Sequence, residues 1–225
     1  MRKLGMTVLV LACIIGGAIA WYKISYPTYT YRFRLAIAVD VGDETKTASS
    51  VIEVRTVTRP MSVIFSPINI YVYGDALIVD LGAKGNVIAL LACGPDGTES
   101  CVGTLVPEEF GIAGVKNFPQ LETLRGSREL TGKFMPTLIT FADLTDPKSA
   151  RVVRPDQFEQ VFGPDVHFKR MWIEMTTDPV TRGIEKKLPW WGRPGRPALE
   201  AYRAWREGKT VGPSVEPEVL FKRGK

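Results

Sequence analysis

Residues 28–41 read TYTYRFRLAIAVDV. Tyr31, Phe33, Leu35, Ile37 and Val39 alternate with Arg32, Arg34, Ala36, Ala38 and Asp40, the two-residue period of a strand with one buried face. Gly42-Asp43-Glu44-Thr45 supplies a turn. The run from Thr47 to Val57 follows, with Ser50, Ile52, Val54 and Thr56 on one face and Val51, Glu53, Arg55 and Val57 on the other. Two alternating runs joined by a short polar loop predict an antiparallel hairpin, which Arg59-Pro60 ends. The chain is therefore read first as a β protein.

The same signal recurs further along. INIYVY (68–73), ALIVDL (76–81) and VIALLAC (87–93) are separated by Gly74-Asp75 and by residues 82–86, and their β-branched and aromatic content favours strands. The nearly continuous apolar character of ALIVDL and VIALL predicts central strands covered on both faces. Between Pro107 and Phe134, Gly111, Gly114, Pro119, Gly126 and Gly132 leave room only for a loop with a short helical turn at Pro107–Phe110. A connection of that length marks a candidate binding surface, including a cover over a pocket between sheets. Thr137–Phe141 reads as another strand and Pro155–Phe162 as a short helix. Val166–Thr176 reads as a last long strand with Val166, Phe168, Arg170, Trp172 and Glu174 on one face and His167, Lys169, Met171, Ile173 and Met175 on the other.

At the start of the chain, Arg2 and Lys3 precede an uncharged, mostly apolar run from Leu4 to Ala20, closed by Trp21, Tyr22 and Lys23. Such a run inserts into a bilayer with its positive end in the cytoplasm. Three fates are open. An uncleaved anchor fits the interfacial aromatics and the snorkelling Lys23. Ala18-Ile19-Ala20 offers signal peptidase a small-x-small site before Trp21. Val10-Leu11-Ala12-Cys13 resembles a lipobox with Cys13 acylated. All three place the body outside the cytoplasm.

Composition agrees with a folded domain, at 45% apolar residues and 10% aromatics. The net charge of +5 is concentrated late: Arg182–Lys225 holds eleven Lys/Arg against five Glu. In an exported chain this excludes nucleic acid as a natural partner and suits anionic lipid, an acidic protein or solvent. Cys93 and Cys101 flank Gly94-Pro95-Asp96-Gly97-Thr98-Glu99-Ser100, where Pro-Asp-Gly is turn chemistry. The two thiols should face each other across a hairpin and join in an oxidising compartment.

Catalytic patterns are weak. His167 is the sole histidine, so any Ser-His-Asp or Cys-His arrangement would have to use it, and on a strand with alternating apolar neighbours it reads as structural or surface; a metal site of several imidazoles is not available. Asp40, Glu53, Asp80, Asp143 and Glu174 sit on or beside strands without a spacing that selects a pair for carboxylate hydrolysis. No phosphate-cradling glycine motif or other cofactor signature is present. The most unusual local sequence is TRGIEKKLPWW (181–191). Arg182, Lys186, Lys187, Trp190 and Trp191 are candidate docking residues, with capping of the β core as the competing role for the tryptophan pair.

YRFRLAIAVDV, SSVIEV, ALIVDLG followed by ALL, and GIEKKLPWW together resemble a group of uncharacterised proteobacterial proteins with one N-terminal hydrophobic segment. The resemblance implies a bacterial source and an inner-membrane or periplasmic setting, and it carries no catalytic residues. The expected architecture is mainly β: an antiparallel sandwich or incomplete barrel of seven to nine strands with an N-terminal transmembrane or signal helix and short peripheral helices. Its parts are the N-terminal segment (1–23), a β-rich extracytoplasmic domain (28–192), and a basic C-terminal helix and tail (193–225). The expected function is a membrane-tethered envelope protein that binds a protein partner or supports an assembly, without a cofactor. A periplasmic small-ligand carrier, and more distantly a carboxylate hydrolase, are the alternatives.

Overall fold

Strand β1 (Thr28–Val41) runs through the middle of a six-stranded sheet because its alternating residues are large and apolar on one side only. Its hairpin partner β2 (Glu44–Thr58) pairs Phe33 with Ile52 and Tyr31 with Val54, as the period predicts. On its other side lies β9 (Val166–Met175). The sheet is completed by β3 (Ile68–Asp75) beside β2, β10 (Lys222–Arg223) beside β3, and β6 (Ser127–Glu129) beside β9. A second sheet of four strands has the order β4 (Leu77–Asp80), β5 (Asn86–Cys93), β7 (Pro136–Phe141), β8 (Ala150–Val152). Every pairing in both sheets is antiparallel. These relations come from a computed structural model that describes residues 2–60, 68–95, 97, 99–146, 149–190 and 222–223, with the side chains of 2–10 and 222–223 outside that description.

The inner faces of the two sheets share one hydrophobic core, in which Phe33, Leu35, Ile37 and Ile52 of the first sheet join Leu77, Ile88, Leu90 and Ile139 of the second. Short helices border it: α2 (Leu105–Glu109), α3 (Pro119–Thr123) and α4 (Phe158–Phe162). Burying apolar side chains on both sheets at about 25 cal/mol per Å² is the main term holding such layers together.

Three local readings change. Gly74-Asp75, the break between two apolar runs, is a crossing: β3 leaves the first sheet there and continues through Ala76 into β4 of the second. Gly74 has φ +143°, and a Cβ at that position would lie 3.1 Å from the Val51 carbonyl oxygen, so the crossing needs glycine. β4, expected to be central, is an edge strand, whereas β5 is buried along its whole length. In β9 the pairing slips beside β1 between Ala38 and Val39, leaving Lys169 as an extra residue. Val166 therefore faces the core before the bulge, and Met171 and Ile173 face it after, because a one-residue insertion swaps the faces of everything beyond it.

Helix α1 spans Arg2–Ser25. Residues 11–25 are exposed, and among the described residues the exposed large hydrophobic side chains are those of α1 apart from Ile70 and Tyr71. Among the described residues no helix is long and apolar enough to cross a membrane. The expected C-terminal helix and most of the tail (193–221) lie outside the described residues.

Candidate functional site

Where β3 departs for the second sheet, the edge of β2 loses its neighbour at Val51. A backbone N–H and C=O left bare at that depth would each need a partner. Thr181 supplies both: its backbone N–H donates to the Val51 carbonyl at 3.0 Å, and its hydroxyl accepts from the Val51 N–H at 2.8 Å. The segment reaches that point by crossing the outer face of β1. Arg32 donates to the carbonyls of Thr177 and Asp178, and Arg34 pairs with the Asp178 carboxylate.

Asp75 forms the second attachment. The residue is 1% exposed, and its Oδ2 accepts from the Ile184 backbone N–H at 2.9 Å. Its own carbonyl accepts from the buried Ser50 hydroxyl at 2.6 Å, while Oδ1 has no hydrogen-bond partner among the described residues. Beyond Ile184 the chain makes one turn at Ile184–Lys186. It drops Ile184 and Leu188 into the core and lays Trp190 against Phe141, with ring centroids 5.9 Å apart. The Trp190 indole N–H donates to the Leu144 carbonyl at 2.9 Å. Residues 176–190 thus form a strap over the open edge of the sandwich.

This placement separates the candidate docking residues by role. Trp190 is half-buried and caps the core, the role weighed against docking. Arg182, Lys186 and Lys187 are exposed on the outside of the strap. Trp191 lies outside the described residues. The strap carries a short basic strip outward on apolar feet. Periodicity alone did not reveal Thr181, Asp75 and Ser50; the signal available was a polar pair, Gly74-Asp75, between two strongly apolar runs.

Cys93 and Cys101 are joined as a disulfide, with Cα atoms 5.7 Å apart. The hairpin is tighter than expected. Cys93 bridges Glu99 through hydrogen bonds of 2.9 and 3.0 Å, and Cys101 stands two residues past the pair. Replacing both cysteines with serine is expected to lower unfolding stability by roughly 2–3 kcal/mol in urea titration, from the loop-closure entropy returned to the unfolded chain. An unchanged midpoint would show that the hairpin hydrogen bonds alone hold the loop.

Within the segment 107–134, Leu121, Glu122, Leu124 and Arg125 help to wall a concavity of about 210 Å³ together with Thr30, Arg32 and Met175. Ile112, Leu121 and Leu130, together with Leu105 and Val106 just before that segment, are themselves buried in the core. The carboxylates considered for hydrolysis are dispersed. The Thr45 hydroxyl, helped by Lys169, holds Asp40 below the usual carboxylate range. Glu53 pairs with Arg32 and Arg55, and Asp80 accepts from the Gly82 N–H. Asp143 is lowered by the Thr145 N–H and hydroxyl, and Glu174 stands on the exposed face of β9. Elsewhere, Lys84 lowers Asp165, and burial pushes the Tyr31 phenol far above the tyrosine range while its hydroxyl donates to the Gly103 carbonyl. His167 lies exposed beside Glu159 at 2.9 Å. Among the described residues no group of three or more His, Cys, Asp or Glu is placed to hold a metal ion. No protein-family model matches the chain, and neither a curated protein nor a solved structure does so.

Proposed function

We propose that this protein is a bacterial envelope module, tethered to the inner membrane by α1 with its β domain in the periplasm, that docks an acidic protein partner through Arg182, Lys186 and Lys187. The observation that carries the tether is the exposure of α1: Leu11, Ile14, Ile15, Ile19 and Trp21 are all more than half exposed. The described part of α1 is by itself not long and apolar enough for a span, and the tether counts the whole uncharged run from Leu4 to Ala20, since an apolar helix without a polar face finds its solvent in lipid. A disulfide in the β domain supports an oxidising compartment. The basic strip supports docking, because exposed cations carried on a strap pinned at Val51 and Asp75 lose little conformational freedom when a partner binds.

The test is a cross-linked pull-down of full-length protein from its native membrane. One dominant envelope complex is expected, with that complex lost when Arg182, Lys186 and Lys187 are changed to glutamate at an unchanged melting temperature. Recovery of the protein alone, or a complex indifferent to the charge reversal, overturns the docking reading. Release of the protein by alkaline carbonate overturns the tether.

A further inference from the structure

The junction between α1 and the first sheet joins an apolar groove to a group of cationic side chains. Only Tyr26 and Pro27 separate the helix from β1, and the join is fastened: Thr58 donates to the Pro27 carbonyl through both its backbone N–H, at 3.2 Å, and its hydroxyl, at 2.7 Å. Around this join lie two adjoining concavities that share Tyr26 and Thr58 as wall residues. One, of about 370 Å³, is walled by Tyr26, Tyr29 and Ile68 and carries Arg59 and Lys116. The other, of about 460 Å³, runs along α1 past Tyr22, Ile19 and Ile15, with Lys23 at its upper end.

Among the described residues none of Lys23, Arg59 and Lys116 has a carboxylate partner. Glu122, the nearby acid on α3, is spent on the Thr30 backbone N–H at 3.1 Å. Trp21, Tyr22 and Tyr26 pack together at the same level, with Tyr22 and Tyr26 ring centroids 5.1 Å apart and those of Trp21 and Tyr26 6.4 Å apart. Aromatic rings of this kind settle at the headgroup boundary. From Ile15 to Tyr26 the helix rises about 16 Å, comparable to one leaflet of the hydrocarbon core.

We propose that this junction binds one anionic phospholipid. Its phosphate sits between Arg59 and Lys116, with Lys23 beneath, and one acyl chain lies along Ile19 and Ile15. The inference rests on the tethered reading of α1. Arg59 supplies the directional contact, since a guanidinium can engage two phosphate oxygens at once, and its weak hydrogen bond to the Tyr71 hydroxyl at 3.4 Å aims it.

The experiment reconstitutes the full chain into nanodiscs of phosphatidylcholine with or without phosphatidylglycerol. Lipids retained after transfer to detergent are then counted by native mass spectrometry. One phosphatidylglycerol per chain is expected on the wild type, with retention reduced about tenfold or more in the Arg59→Gln/Lys116→Gln double variant. Arg59→Lys, which keeps the charge, is expected to lose less. Inorganic phosphate in excess should leave the retained lipid in place, because a free anion lacks the acyl contact; displacement by phosphate would overturn the lipid assignment. Equal retention of phosphatidylcholine and phosphatidylglycerol, or equal retention by wild type and double variant, overturns the inference while the tether stands. A chain that never enters the nanodisc overturns both.

Discussion

Asp75→Ala is expected to lower the unfolding free energy by about 3 kcal/mol. The Ile184 N–H is buried and has this carboxylate as its acceptor, and a buried donor left without a partner costs about 1–3 kcal/mol. The remainder comes from the strap, which loses the attachment nearest Ile184 and Leu188 while those at Asp178, Thr181 and Trp190 remain. Asp75→Asn separates these effects. It keeps an oxygen for the Ile184 N–H and is expected to cost about 1 kcal/mol or less, since Oδ1 has no hydrogen bond to lose. Urea titration of the two variants decides the matter. Equal losses would mean that charge, rather than the hydrogen bond, is what the position supplies; no loss in Asp75→Ala would mean that the strap is held without it.

The second large effect lies in the middle of the first sheet. Phe33 is fully buried, paired across β1 with Ile52 on one side and Met175 on the other. Phe33→Ala should cost about 3–5 kcal/mol, from the lost transfer energy and from a cavity that rigid flanking strands cannot close. In a chain of this size that is a fall in melting temperature of about 10 °C or more. A loss near 1 kcal/mol would show that the neighbouring strands collapse into the gap. The slope of the urea transition is expected to stay constant, because the variant changes stability and not the surface exposed on unfolding.

How much of this was legible from residues alone depends on whether the physics was local. The β1–β2 hairpin was, because an alternation of large apolar and charged side chains admits one register with the core. The disulfide hairpin was also, through Pro-Asp-Gly and the spacing of two cysteines. The faces of β9 were not. Val166 to Met171 contains no glycine to mark a bulge, and the insertion at Lys169 is visible only against its partner: Lys169 reaches Asp40 and Thr45 at 3.1 and 3.0 Å, contacts more than 120 residues distant in sequence. The crossing at Gly74-Asp75 was not visible in the sequence for a related reason. A glycine and an aspartate between apolar runs look the same whether the chain reverses or passes from sheet to sheet, and only the carbonyl of Val51 close behind Gly74 distinguishes them. The placement of Trp190 was open in the sequence because a tryptophan beside lysines suits a surface as well as a cap; the structure lays it half-buried against Phe141 and the Leu144 carbonyl.

The double hydrogen bond from Thr58 to Pro27 has a mechanical meaning on the tethered reading. Most anchored domains hang from a flexible leash and sweep a wide area of membrane. Here the leash is two residues long and clipped to the sheet at its far end, so the domain has no slack to sweep with. Its azimuth and height follow the tilt and rotation of the helix, as the head of a bolt follows its shank. A partner that grips the strap would therefore turn or tilt α1 in the bilayer, and strain in the bilayer would move the strap.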